Sequence, residues 1–114
     1  MPYVQVRISK TLTKEQIEKI SSEALESITL VSGKTAAVTM AEVIDGAKLY
    51  FGTVDAGDCA IVDVAYSNSP DPEDLKAYSK NICEKLASIA DIDQKRIYVK
   101  HRANPEWHTG KMFM

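Results

Sequence analysis

The sequence predicts an α+β fold in which duplicated β-α-β units form a four-stranded sheet with two helices on one face. Three observations predict it. A period-two strand opens the chain, two amphipathic segments carry helix-start signals, and the order of elements in the first half recurs in the second.

The first strand is "YVQVRI", where Val4, Val6 and Ile8 alternate with Tyr3, Gln5 and Arg7. Thr13 with Gln16 three residues later is a capping box, and Ile17, Ile20, Ala24, Leu25, Ile28 and Val31 recur behind it at helical spacing. Gly33 suits the left-handed residue that ends such a helix. Residues 37–44, "AVTMAEVI", read as the second strand.

The second unit begins with "CAIVDVAYS" at 59–67, rich in β-formers. A helix follows with Asp71 as N-cap, Pro72 at its first position, and Leu75, Tyr78, Ile82, Leu86 and Ile89 along one face. "RIYVKHR" at 96–102 supplies the fourth strand. The cap-to-strand spacing is nearly equal in the two units, so 1–114 is read as one domain with pseudo-repeats at about 1–45 and 59–103 and a tail at 104–114. A helix joining two strands implies parallel pairing with a right-handed crossover. Both helices then lie on one face, and Val, Ile, Met and Tyr on the other face would need cover, which several copies of the chain could provide for one another.

Composition narrows the function. Apolar residues make up 45% of 114 residues, enough for one domain with a core. A net charge of −2 with interspersed signs offers no basic face for nucleic acid or a membrane surface. No apolar run approaches the roughly 18–20 residues of a membrane span, and no basic-then-apolar leader is seen, so a cytoplasmic protein is expected. Cys59 and Cys83 do not form a CxxC pair, and with His101 and His108 they make no metal-ligand pattern. Neither a metal nor a cofactor is expected.

Pro2 draws attention because methionine is commonly removed before a small residue, which would leave a free secondary amine at the head of the strand. An α-amine titrates near roughly 8, and burial in an apolar pocket lowers that value. Such a group would be a base at neutral pH. The alternative is a strand-edge device, since proline is tolerated at the first residue of a strand.

Several short stretches, taken in order, resemble the tautomerase superfamily, in the branch of macrophage migration inhibitory factor and D-dopachrome tautomerase. They are "MP" leading into a strand, "GK" at 33–34, "YF" at 50–51 followed by glycine, "CA" at 59–60, "YSKNIC" at 78–83, "RIY" at 96–98, and Trp107 with Phe113 six residues on. The resemblance implies a β-α-β duplication assembled as a homotrimer with sites between subunits. It also implies cofactor-independent keto–enol tautomerisation of small α-keto acids of the phenylpyruvate type.

By the same resemblance Pro2 is the catalytic base, shifting a proton between the carbon beside a carbonyl and the far end of the enol system. Lys34 meets the substrate carboxylate and keeps the amine neutral by like-charge repulsion; a lysine past a helix C-terminus also suits the dipole. Tyr98 would reach an adjacent subunit's pocket, or pack as an interface aromatic. Ser67 joins the substrate-binding set, and Trp107 and Phe113 form an apolar wall or fasten the tail to a neighbour.

The chain departs from the branch at Lys100, where better-known animal members have asparagine, which gives the substrate-binding rim another cation, and in the tail "NPEWHTGKMFM", where Glu106 and His108 change polarity. Two other readings stay open. One is a non-catalytic trimeric binding or signalling module, which a retained Met1 favours because Pro2 is then an amide. The other is a hydratase or dehalogenase drawing on Arg7, Arg102 and Glu106. Asp63 needs water or a partner in mid-strand, either Arg7 or Arg102, and His101 faces a pocket, an interface or water.

Overall fold

A computed structural model describes residues 1–113 of the chain. Strands β1 (Tyr3–Ile8), β2 (Met40–Ile44), β3 (Ala60–Tyr66) and β4 (Ile97–Ala103) form one sheet in the order β2-β1-β3-β4. Helix α1 (Lys14–Glu26) joins β1 to β2, and α2 (Pro72–Ala90) joins β3 to β4. Within each unit the strands are parallel, and β1 meets β3 antiparallel, so the duplicated β-α-β architecture predicted from the sequence is the one observed.

The caps act where the sequence places them. Thr13 Oγ1 accepts from Gln16 N at 3.1 Å while Gln16 Oε1 accepts from Thr13 N at 2.8 Å. Asp71 accepts from Glu73 N at 2.8 Å ahead of Pro72. At the far end of α2, Asp91 adopts the left-handed conformation with φ 54. Carbonyls there lack intrahelical donors, and Lys10 Nζ and Gln16 Nε2 bond those of Ala90 and Ile89 at 2.9 and 3.0 Å. The two units are thus tied at their helix ends as well as through the sheet.

Two boundaries differ from expectation. The first helix does not run α-helical to Val31; it tightens into a 3₁₀ turn over Ser27–Leu30, with Thr29 Oγ1 donating to Glu26 O at 3.0 Å. Gly33 does take the left-handed conformation, φ 80, at the end of the following bend. The second strand begins at Met40 and not at 37, because Ala36–Val38 form a 3₁₀ turn held by Thr39 N on Ala36 O at 3.1 Å and Thr39 Oγ1 on Thr35 O at 2.7 Å. Local threonine hydrogen bonds outweigh strand propensity there.

The core lies between the sheet and the helices. Val4, Val6 and Ile8 of β1 and Val62, Val64 and Tyr66 of β3 are fully buried against Ile20, Ala24, Tyr78, Ile82 and Leu86. Leu86→Ala is expected to cost about 2–5 kcal/mol, seen as a lower urea midpoint at unchanged m value.

The opposite face is mixed: it carries the expected Ile, Met and Tyr side chains but no valine, and charged residues stand among them. Because β1 and β3 pair in phase, their valines and Ile8 turn together toward the helices, leaving Met40, Ile44, Ile61 and Tyr98 on the other side together with Tyr3, Gln5, Arg7, Glu42, Asp63, Lys100 and Arg102. Tyr3 Oη and Gln5 Nε2 donate to Glu42 Oε1 at 2.7 and 3.0 Å. Arg102 Nε and Lys100 Nζ lie 3.3 and 3.7 Å from the Asp63 carboxylate, so the mid-strand acid has Arg102 and Lys100 as ion-pair partners, although its buried Oδ1 accepts no hydrogen bond among the described residues. The large apolar side chains left more than half exposed, among them Val38, Met40, Tyr50, Tyr98 and Phe113, sit at the ends and edges of the sheet.

Candidate active site

Pro2 heads the central strand β1. It is buried, and its carbonyl accepts from Met40 N at 3.1 Å, which extends the β1–β2 ladder by one bond without needing the N–H that proline lacks. Met1, Pro2 and Tyr3 open into a cavity of about 700 Å³ whose other walls are Val38 and Met40 from the entry to β2 and Trp107, His108, Thr109, Gly110 and Met112 from the tail. Its lining is predominantly apolar in residue type, the setting in which an amine loses its proton more readily.

The tail is shaped for this by its own hydrogen bonds. Thr109 N donates to Met112 O at 2.7 Å, and Thr109 Oγ1 accepts from Met112 N and Lys111 N at 2.8 and 3.2 Å. The His108 ring packs 5.5 Å from that of Phe113, and its Nε2 lies 3.8 Å from Glu106. Trp107 therefore forms part of the wall beside Pro2, while Phe113 is largely exposed and packs on His108.

Lys34 acts on this end of the sheet by charge. The α-amine of Met1 is held below its ordinary value of 8.0, first by burial and then by the Lys34 ammonium. Lys34 Nζ donates to Asn68 Oδ1 at 2.8 Å and stands 5.9 Å from the centre of the Tyr66 ring. Ser67, between those two residues, is half-buried directly after β3.

Tyr98 and Lys100 stand elsewhere. Register pairs Tyr98 with Ile61, at the end of the sheet away from the Tyr3–Ala65 and Tyr66–Ala103 pairs that flank Pro2. Its ring meets Phe51 edge-on at 4.8 Å and borders a separate cavity of about 280 Å³ with Leu49, Cys59 and Ala60. Within one chain, then, Pro2 and Tyr98 do not share a cavity. Lys100 lies over Asp63 on the mixed face.

Asn68, which supports Lys34, was missed from sequence, and His101, left open there between a pocket, an interface and water, turns to the helix side. Asn68 lies in a bend, where no periodicity marks it. His101 shares strand parity with Ile97 and Val99, which places it on the helix side; there its Nδ1 is 3.1 Å from Tyr66 Oη and its Nε2 2.8 Å from Ser79 Oγ. Burial holds its imidazole below the ordinary value of 6.5.

Cys59 is buried with Sγ 3.4 Å from Leu49 O, and burial, followed by the nearby Glu84, pushes the Cys83 thiol up. Among the described residues no group of three or more His, Cys, Asp or Glu could hold a metal ion, and no helix is long and apolar enough to cross a membrane.

No family model and no curated protein matches the sequence. Solved structures do match the fold over its full length. MIF2 from Leishmania major superposes with a TM-score of 0.89 at 19% identity, covering 100% of this chain and 97% of its own. The macrophage migration inhibitory factor-like protein of Entamoeba histolytica gives 0.85 at 19% identity, with 99% and 98% covered. Pt0534 inactivated by 2-oxo-3-pentynoate gives 0.83 at 12% identity, with 97% and 94% covered. The chain has the fold of the macrophage migration inhibitory factor structures from end to end.

Proposed function

We propose that the protein is a cofactor-independent tautomerase of small α-keto acids of the phenylpyruvate type, with the amine of Pro2, freed by removal of Met1, as the general base. The observation that carries this reading is the burial of Pro2 in an apolar cavity whose neighbouring amine is already depressed by burial and by Lys34. A neutral amine there takes a proton from the carbon beside the keto group and returns one at the other end of the enol system. Lys34 receives the carboxylate, Trp107 closes the apolar wall, and Ser67, directly after β3, joins the substrate-binding set. One structural neighbour supports the substrate class, since 2-oxo-3-pentynoate is itself a 2-oxo acid. Ketonisation of enol-phenylpyruvate by Met1-free protein tests the reading, and no acceleration over buffer would overturn it.

The assembly belongs to the same proposal. Tyr98 can meet Pro2 only across chains, and the exposed apolar side chains cluster at the sheet ends where neighbours would dock. We expect a homotrimer. Light scattering should give three times the monomer mass of 12.6 kDa, and a monomer at working concentration would remove Tyr98 from the site.

A second reading, a trimeric module that binds without turnover, would be favoured by a chain that keeps Met1, whose residue lines the cavity in front of Pro2. A hydratase or dehalogenase draws less support, because Arg102 is engaged by Asp63 on the mixed face and Glu106 lies beside His108.

A further inference from the structure

We propose that His101 is a positioning residue for Lys34, acting through the buried ring of Tyr66 and anchored on helix α2 by Ser79. The proposal rests on the reading of Lys34 as the carboxylate anchor.

A lysine ammonium rides on a flexible four-carbon stem, so an anchoring lysine needs partners that restrict it before substrate arrives. Lys34 has two. Asn68 Oδ1 accepts from its Nζ at 2.8 Å, and the Tyr66 ring offers its face at 5.9 Å. The first is a side chain in an exposed bend. The second is fully buried, so it is the fixed part of the cradle.

What fixes Tyr66 is His101. The two rings stack with centroids 5.8 Å apart and planes 23° from parallel, and the Tyr66 hydroxyl lies 3.1 Å from Nδ1. Nε2 then lies 2.8 Å from Ser79 Oγ, and the Tyr78 ring meets the imidazole edge-on at 6.0 Å. A neutral imidazole has one donor and one acceptor. Either Tyr66 Oη donates to Nδ1 while Nε2–H donates to Ser79 Oγ, or both bonds run the other way; each arrangement leaves the Tyr66 ring in the same place. Burial favours that neutral form. A polar chain therefore runs from α2 through β4 to the end of β3, and its last member is the surface on which Lys34 rests.

The two imidazole nitrogens can be tested separately. The amide of His101→Asn can reach the place of Nδ1 and keep the Tyr66 bond, that of His101→Gln can reach the place of Nε2 and keep only Ser79, and His101→Phe keeps the ring but neither bond. In Met1-free protein, His101→Phe and His101→Gln should raise KM for enol-phenylpyruvate by about three- to tenfold, the scale of one cation–aromatic contact, with kcat little changed. The ethyl ester should show no such rise. His101→Asn should restore the acid KM, and Tyr66→Leu, which deletes the ring face, should reproduce the loss.

A second readout needs no turnover. In protein labelled with ¹³C-lysine, the Lys34 Cε–H signal should be displaced by the Tyr66 ring, and should move toward those of exposed lysines in His101→Phe but not in His101→Asn. If wild type turns nothing over while this signal still responds, the tautomerase reading fails and the positioning of Lys34 stands. Unchanged acid KM and unchanged Lys34 signal in His101→Phe and Tyr66→Leu would overturn the proposal, as would equal losses for acid and ester.

Discussion

Protein that retains Met1 is expected to ketonise enol-phenylpyruvate about 10²–10⁴-fold more slowly than protein from which Met1 has been removed, the range that a positioned general base contributes. With Met1 in place the nitrogen of Pro2 is an amide, its lone pair is delocalised into the carbonyl, and it cannot accept a proton at any working pH. The Met1 amine does not replace it, although it too is depressed, because it sits one residue further from β1, on a chain whose φ at Pro2 is fixed.

The pH dependence gives the same test a sign. The base must be unprotonated, so kcat/KM should rise with pH and level off above a single ionisation. That ionisation should fall below the ordinary α-amine value of 8.0, since burial and Lys34 both disfavour the charged form at this end of the sheet. Intact-mass measurement fixes which form each preparation contains. Equal rates from the two forms would remove Pro2 from the mechanism and leave the binding module as the better reading.

The fold was legible because its signals are local and redundant. The Thr13–Gln16 box and Asp71–Pro72 pair fix helix starts within a few residues, and two units with the same spacing confirm each other. The second strand was read three residues too early because "AVT" has strand propensity, and only the Thr35–Thr39 hydrogen bonds reveal a turn. The charged share of the open sheet face was missed for another reason. Parity along one strand is visible in sequence, but which parity of β1 matches which of β3 depends on their register, a non-local quantity.

The site was legible to a lesser extent. Pro2, Lys34 and Trp107 carry chemical types that attract attention, and the structure gathers Pro2 and Trp107 around one cavity with the Lys34 charge beside it. Tyr98 and Lys100 lie apart from that cavity within one chain. Asn68 and Tyr66 escaped notice because a bend residue and a buried aromatic look structural until their distance to Lys34 is known.

Lys34→Ala should show two signatures whose combination separates an anchor from a merely structural lysine. The first is a loss confined to carboxylated substrates. A charge-assisted hydrogen bond to an ionised group is worth about 1.5–3 kcal/mol, so kcat/KM for enol-phenylpyruvate should fall by roughly 10- to 150-fold while its ester changes little. The second concerns the base. Removing a neighbouring cation stabilises the protonated amine, so the rise in the pH profile should move to higher pH, with burial still holding it below the ordinary α-amine value. A lysine that only caps the turn after Val31, where its backbone N–H bonds Val31 O at 3.0 Å, would produce neither effect, because alanine keeps that bond. Equal losses for acid and ester would exclude the anchoring role. An unmoved pH profile beside an acid-specific loss would leave Lys34 as a substrate anchor and assign the depressed amine to burial alone.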